Sequence, residues 1–287
     1  MKNILRSAVL SAVMALSAQS AMADVTVSGD YLKFGVDTSG ALIDLTSLTG
    51  LQFDPTGSGN FGGQPDFLYP GTPFAFYSLG VNGFYDVASP GANAFGTTTA
   101  ILSLVGTTYV ATSGGTYGGL KISQTITFDT TSNILHTAVV LTNVSGHTLN
   151  NIAYGVGFDP DQDYDNYSQF NTANTILGQG VGGSVEATGV NTGYTIKLSS
   201  TGGWSANAGV YLPWETNPYT LATAATANSY SDSSIGLGYH FDSLKNGKQI
   251  SIGYDVTVTA VPEPATYGML LAGLGLIGAA VRRRRSA

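Results

Sequence analysis

Four segments of this chain alternate apolar residues with small or polar ones, and that period constrains what it can fold into. Ile250, Ile252, Tyr254, Val256 and Val258 alternate with Ser251, Gly253, Asp255 and Thr257. Ile152, Tyr154, Val156 and Phe158 alternate with Asn151, Ala153, Gly155 and Gly157. Leu120, Ile122, Ile126 and Phe128 share one face of a third segment, and Leu135, Thr137, Val139 and Leu141 one face of a fourth. Successive side chains of a strand point to opposite faces, so a period of two marks half-buried strands. No long stretch of residues 24–260 carries a clean helical period. Regular strands split by Gly, Asn, Ser and Asp turns predict an all-β body, an antiparallel β-sandwich. The chain has no cysteine. Disulfides and thiolate chemistry are therefore excluded, and the fold must rest on its core and its hydrogen bonds.

Asn143-Val144-Ser145-Gly146-His147-Thr148 separates the strand readings Leu135–Thr142 and Leu149–Phe158. Asn and Gly supply the left-handed backbone that a reversal needs. The stretch Val140-Leu141-Thr142-Asn143-Val144-Ser145-Gly146 is similar to strand-turn segments of bacterial extracellular β-sandwich and supersandwich domains. Residues 54–73 carry Pro55, Pro65, Pro70 and Pro73 among glycines and read as a long loop. Residues 199–232, rich in Ala, Thr, Ser and Asn, read as an insertion into the same domain. No repeat of fixed period stands out, which argues against a solenoid.

Both ends carry address signals. Lys2 and Arg6 precede an apolar stretch from Ser7 to Leu16, and Ala21-Met22-Ala23 is an A-x-A cleavage site. Residues 1–23 thus read as a signal peptide, with Asp24 as the mature N-terminus. Its expected partners are the Sec translocon and signal peptidase. At the other end, Pro262-Glu263-Pro264 leads into the uncharged run Ala265–Val281, followed by Arg282, Arg283, Arg284 and Arg285. As a helix the run would be roughly 26 Å long, short but workable for a bilayer core of about 30 Å. The arginines favour the cytoplasmic side and would stop translocation there. Pro262 and Pro264 break any strand or helix entering the run. A transmembrane helix is therefore expected within 261–287, and a single domain over 24–260.

This tail, Pro262 to Arg285, resembles a PEP-CTERM sorting signal. Tails of this kind are also labelled ice-binding protein C-terminal domains. The resemblance covers about a tenth of the chain. It implies a Gram-negative bacterium that makes extracellular polysaccharide. It also implies recognition by exosortase, an integral-membrane transpeptidase-like enzyme. It says nothing of what the body does, because such tails sit on unrelated bodies.

Without its two ends the chain keeps five lysines and 17 acidic residues, a formal charge of −12. Such a body is repelled by nucleic acid and anionic lipid. The chemically suggestive run is Asp159-Pro160-Asp161-Gln162-Asp163-Tyr164-Asp165-Asn166. Four carboxylates at alternate positions are what calcium takes from a loop. The run opens like an EF-hand. It then departs, because Tyr164 stands at the turn-glycine position and Phe170 at that of the bidentate Glu. Two readings fit: calcium held by Asp159, Asp161, Asp163 and Asp165, or a solvated turn whose carboxylates cap backbone N–H groups.

Nothing marks a catalytic centre. His136, His147 and His240 are the only histidines and lack zinc-ligand spacing. No G-x-S-x-G elbow presents a serine. Glu215, beside Trp214 and near Trp204 and Tyr211, is the one acid in an aromatic setting. That segment fits core packing, sugar stacking or glycan hydrolysis. The expected function is that of an exported, non-enzymatic surface protein, structural or adhesive in an exopolysaccharide matrix or biofilm. The alternative is a carbohydrate-active enzyme or carbohydrate-binding module acting on that matrix.

Overall fold

The computed structural model describes residues 24–96 and 98–260, together with Leu274. The expected signal peptide, and the expected C-terminal helix apart from Leu274, lie outside those residues. No helix among the described residues is long and apolar enough to cross a membrane.

The body is built of antiparallel sheets. One has nine strands, in the order β17 (Ser229–Ser231), β12 (Thr172–Gly178), β14 (Ser184–Thr188), β15 (Tyr194–Thr201), β19 (Gln249–Ala260), β10 (Ile134–Asn143), β9 (Leu120–Asp129), β8 (Thr108–Tyr117) and β7 (Thr98–Val105). A second has seven: β13 (Gly180–Val181), β16 (Ser205–Tyr211), β18 (Ser234–Leu244), β11 (Leu149–Phe158), β4 (Ala75–Val81), β5 (Phe84–Ser89) and β6 (Ala92–Asn93). A small sheet, β1 (Val25–Ser28), β2 (Leu32–Val36) and β3 (Leu51–Phe53), completes the architecture.

The four alternating segments are β19, β11, β9 and β10. Val139 pairs with Ile252 and Leu141 with Ile250, so the apolar faces of β10 and β19 coincide. Ile122 and Ile126 extend the same face across β9. These side chains meet Ile152, Tyr154, Val156 and Phe158 of β11 in one continuous core. The small sheet joins that core through Phe34 edge-on to Phe128, at 5.2 Å, and Phe53 edge-on to Tyr194, at 5.6 Å.

The reversal at Asn143–Thr148 joins strands of different sheets, carrying the chain from β10 to β11. Gly146 takes φ +86° there, a conformation that glycine adopts without steric cost. Residues 54–73 form the expected long connection between β3 and β4. Residues 199–232 differ from the expected insertion, because they contain β16, a member of the seven-stranded sheet. They also contain a helix, Pro218–Thr223. The first helix, α1, spans Tyr164–Tyr167, and this second one is α2.

α2 explains an oddity of β11. Ile152 through Phe158 are buried on both faces, although one face offers only Ala153, Gly155 and Gly157. α2 lies on that outer face, across β11 and β18. A Cβ on Gly155 would stand 2.5 Å from Leu221 Cδ1, and one on Gly238 would stand 2.2 Å from the backbone N of Ala222. The glycines form the seat on which α2 rests. Asn217 caps the helix, its side chain accepting from Tyr219 N at 3.0 Å, and Pro218 opens it. Both residues suit a helix N-terminus.

Candidate functional site

The acidic run follows β11 directly, and its four carboxylates part company. Asp163 is wholly buried and saturated. Its oxygens accept from the backbone N–H of Asn191 and Thr192, both at 2.8 Å, and from the Asn191 and Thr192 side chains. It clamps the β14–β15 connection. Asp165 is exposed and accepts from Asp66 N at 2.8 Å, fastening the 54–73 loop. Asp66 in turn accepts from the N–H groups of Gly50, Leu51, Leu68 and Tyr69.

Asp159 and Asp161 behave differently. Their backbones are tied down, Asp159 N donating to Phe74 O at 2.9 Å and Asp161 N to Phe67 O at 2.7 Å. Their side chains turn inward, 3% and 2% exposed, and meet Asp232 from the link between β17 and β18. One oxygen from each of the three carboxylates lies within 4.8 Å of the others. Burial, with Asp232 beside it, pushes Asp159 up to about 8. Burial, with Asp159 and Asp232 beside it, pushes Asp161 up to about 9. Asp232 is the member that sequence reasoning missed. It sits in Ser229–Ser234, a serine-rich stretch with no second acid to draw attention to it.

The aromatic segment is also divided. Trp214 stacks on Phe74 at 4.7 Å. Glu215 accepts from Thr216 N and Asn217 N, at 2.8 and 2.7 Å, and so shapes the approach to α2. Tyr211 donates to Leu221 O at 3.2 Å. These three serve packing and capping. Trp204 alone is well exposed. It stands edge-on to Phe241 at 4.9 Å and opens on a shallow groove lined by His240, Asp242, Ser243 and Gln249.

The histidines do not converge. His136 pairs with Asp255 at 2.8 Å across β10 and β19. His240 meets Asn151 Oδ1 at 2.9 Å, and His147 lies in the β10–β11 turn. Asp24, the expected mature N-terminal residue, accepts from Thr38 N at 3.1 Å and from Thr46 Oγ1 at 2.8 Å.

Residues 260–285 match the PEP-CTERM protein-sorting motif. The chain therefore joins an antiparallel β-sandwich body to a sorting tail. It is a PEP-CTERM sorting domain-containing protein, and Pro262, Glu263, Pro264 and Arg282–Arg285 all fall within the matched stretch. The motif implies export and cell-surface sorting in a Gram-negative bacterium, with exosortase as the processing partner. No curated protein matches the chain.

Among solved structures, a polysaccharide lyase is 13% identical with a TM-score of 0.50, over 83% of this chain and 33% of the lyase. Heparan sulfate lyase HepC from Pedobacter heparinus, a mutant form, is 10% identical with a TM-score of 0.40, over 64% of this chain and 24% of that one. A galactose mutarotase related enzyme from Lactobacillus acidophilus is 10% identical with a TM-score of 0.40, over 84% and 99%. The chain thus spans a third of the first lyase and about a quarter of the second. At such identity, the likeness to the first is one of fold.

Proposed function

We propose that this protein is a surface or matrix component that enters the Sec translocon and loses residues 1–23 to signal peptidase. It crosses the inner membrane and is held there by its C-terminal run until exosortase acts. The β body then serves a structural or adhesive role in an exopolysaccharide matrix. The observation that carries this reading is the sorting motif placed directly after the last strand. β19 ends at Ala260, and Pro262 follows two residues later. Processing in the tail would cut no strand of the body. Deleting Pro262–Ala287 should shift the protein from the cell surface to the medium or periplasm, as read by fractionation. Unchanged localisation would defeat the proposal.

A second reading, carbohydrate binding or processing, is favoured by the exposed Trp204 over its groove. An aromatic face suits the apolar face of a sugar ring, and the polar rim supplies hydrogen-bonding groups. The fold shared with a polysaccharide lyase is compatible with it. Incubating the purified protein with the matrix polysaccharide separates the two. Retention that is lost in Trp204→Ala would support a binding surface, and shortening of the polymer would favour an enzyme. Neither result would leave the structural reading alone.

A further inference from the structure

The buried meeting of Asp159, Asp161 and Asp232 has no counterpart in the sorting reading. Oδ1 of each carboxylate is buried and without a hydrogen-bond partner. The ion pairs among the described residues, His136–Asp255 and His240–Asp242, lie elsewhere. Buried polar atoms are ordinarily satisfied, and an uncompensated buried charge is costly. Three carboxylates in one place compound that cost, since each opposes ionisation of the others. By contrast, Asp163 and Asp66 are saturated by protein donors, so this chain does supply partners where a carboxylate serves only as a clamp. We propose that Asp159, Asp161 and Asp232 form a calcium site, each giving one carboxylate ligand to a single ion.

Ligand chemistry selects the cation. An all-oxygen set excludes the metals that prefer imidazole or thiolate. Three oxygens within 4.8 Å of one another lie at most about 2.8 Å from a common centre, so a shift of a few tenths of an ångström brings all three to the roughly 2.3–2.6 Å at which calcium takes oxygen. Calcium accepts irregular geometry and fills its six to eight positions with carbonyls and water, whereas magnesium demands a near-ideal octahedron. The position gives the ion a task. Asp159 and Asp161 follow β11 of the seven-stranded sheet. Asp232 lies in the short link where the chain passes from β17, in the nine-stranded sheet, to β18, in the seven-stranded one. One ion would tie the crossover between the sheets to the segment leaving β11. The site lies wholly within the β body and does not depend on the sorting proposal.

The test is thermal unfolding of the full chain in mild detergent, in chelator, calcium chloride or magnesium chloride, with a calorimetric calcium titration. Saturable binding is expected. At calcium 100-fold above the Kd, the melting temperature should rise by about 5–10 °C. Asp232→Asn and Asp161→Asn should each abolish the rise. Asp163→Asn should melt lower in every buffer yet keep its response to calcium. No heat and no shift in the unsubstituted protein would overturn the proposal and leave three acids sharing protons. An undiminished shift in Asp232→Asn would place calcium elsewhere, and an equal shift with magnesium would overturn the choice of calcium. Should either variant fail to fold, the titration of the unsubstituted chain still decides.

Discussion

Asn143 holds the passage between the two large sheets with a single side chain. It is fully buried at the end of β10. Its Nδ2 donates to His147 O at 2.7 Å and to Leu244 O at 2.6 Å. Its Oδ1 accepts from Ser145 N at 2.9 Å and Ser145 Oγ at 2.7 Å. Every hydrogen-bonding position of the amide facing this turn is used. Asn143→Ala would take from Leu244 O its buried amide donor and from Ser145 N its acceptor, while His147 O would keep the Ser145 hydroxyl as a donor. The expected loss is about 2–4 kcal/mol in urea unfolding. Asn143→Asp should cost at least as much, since its second oxygen would face two carbonyl oxygens. A loss below about 1 kcal/mol in Asn143→Ala would show that the network relaxes around the gap. The sequence marks Asn143 as a turn residue but cannot show this role, because Leu244 lies 101 residues further on. The acidic run has the same limit. Its carboxylates are conspicuous in a row, whereas what separates Asp163 from Asp161 is which distant loop each one meets.

Legibility at the scale of elements follows side-chain size. β9, β10, β11 and β19 announce themselves because large or branched apolar side chains recur at every second position. β16 does not. Its inward residues begin Ala206 and Ala208, and alanine has little strand preference. α2 is only six residues long, too short for a period to emerge. Its one local signal is Asn217-Pro218, a cap followed by a helix-opening proline. What fixes α2 is the glycine seat beneath it, which becomes visible only once β11 and β18 lie side by side. Gly238→Ala tests that seat. The new Cβ would press on the backbone of α2, 2.2 Å from both Ala222 N and Leu221 C. A backbone cannot swing aside as a side chain can, so α2 must lift. Lifting it withdraws Leu221, wholly buried against Phe76 and Tyr211. The expected loss is about 2–4 kcal/mol, comparable to deleting a large buried side chain. Hydrogen exchange should quicken at Leu221 and Ala224, whose amides bond within or at the end of this turn. Unchanged exchange there would mean that the sheet, not the helix, absorbs the strain.

Across the whole molecule, the last strand determines how body and tail relate. β19 is no edge. It lies between β15 and β10 and pairs along nearly its full length, from Thr142 opposite Gln249 to Tyr194 opposite Ala260. Its inward side chains, Ile250 through Val258, belong to the main core. The body therefore depends on residues up to about 260, and the sorting stretch begins where that dependence ends. A signal read by a membrane enzyme must be removable without unfolding its cargo, and this boundary meets that need. The body cut after Ala260 should unfold in urea within about 0.5 kcal/mol of the full chain, as for changes remote from the core. A chain ended at Lys248 should not fold at all. It would lose β19, leaving β10 and β15 as two exposed edges, a liability for aggregation. Circular dichroism and urea midpoints on the two truncations check both statements. A body clearly weakened by the cut after Ala260 would mean that the tail contributes to the fold, and processing would then come at the expense of stability.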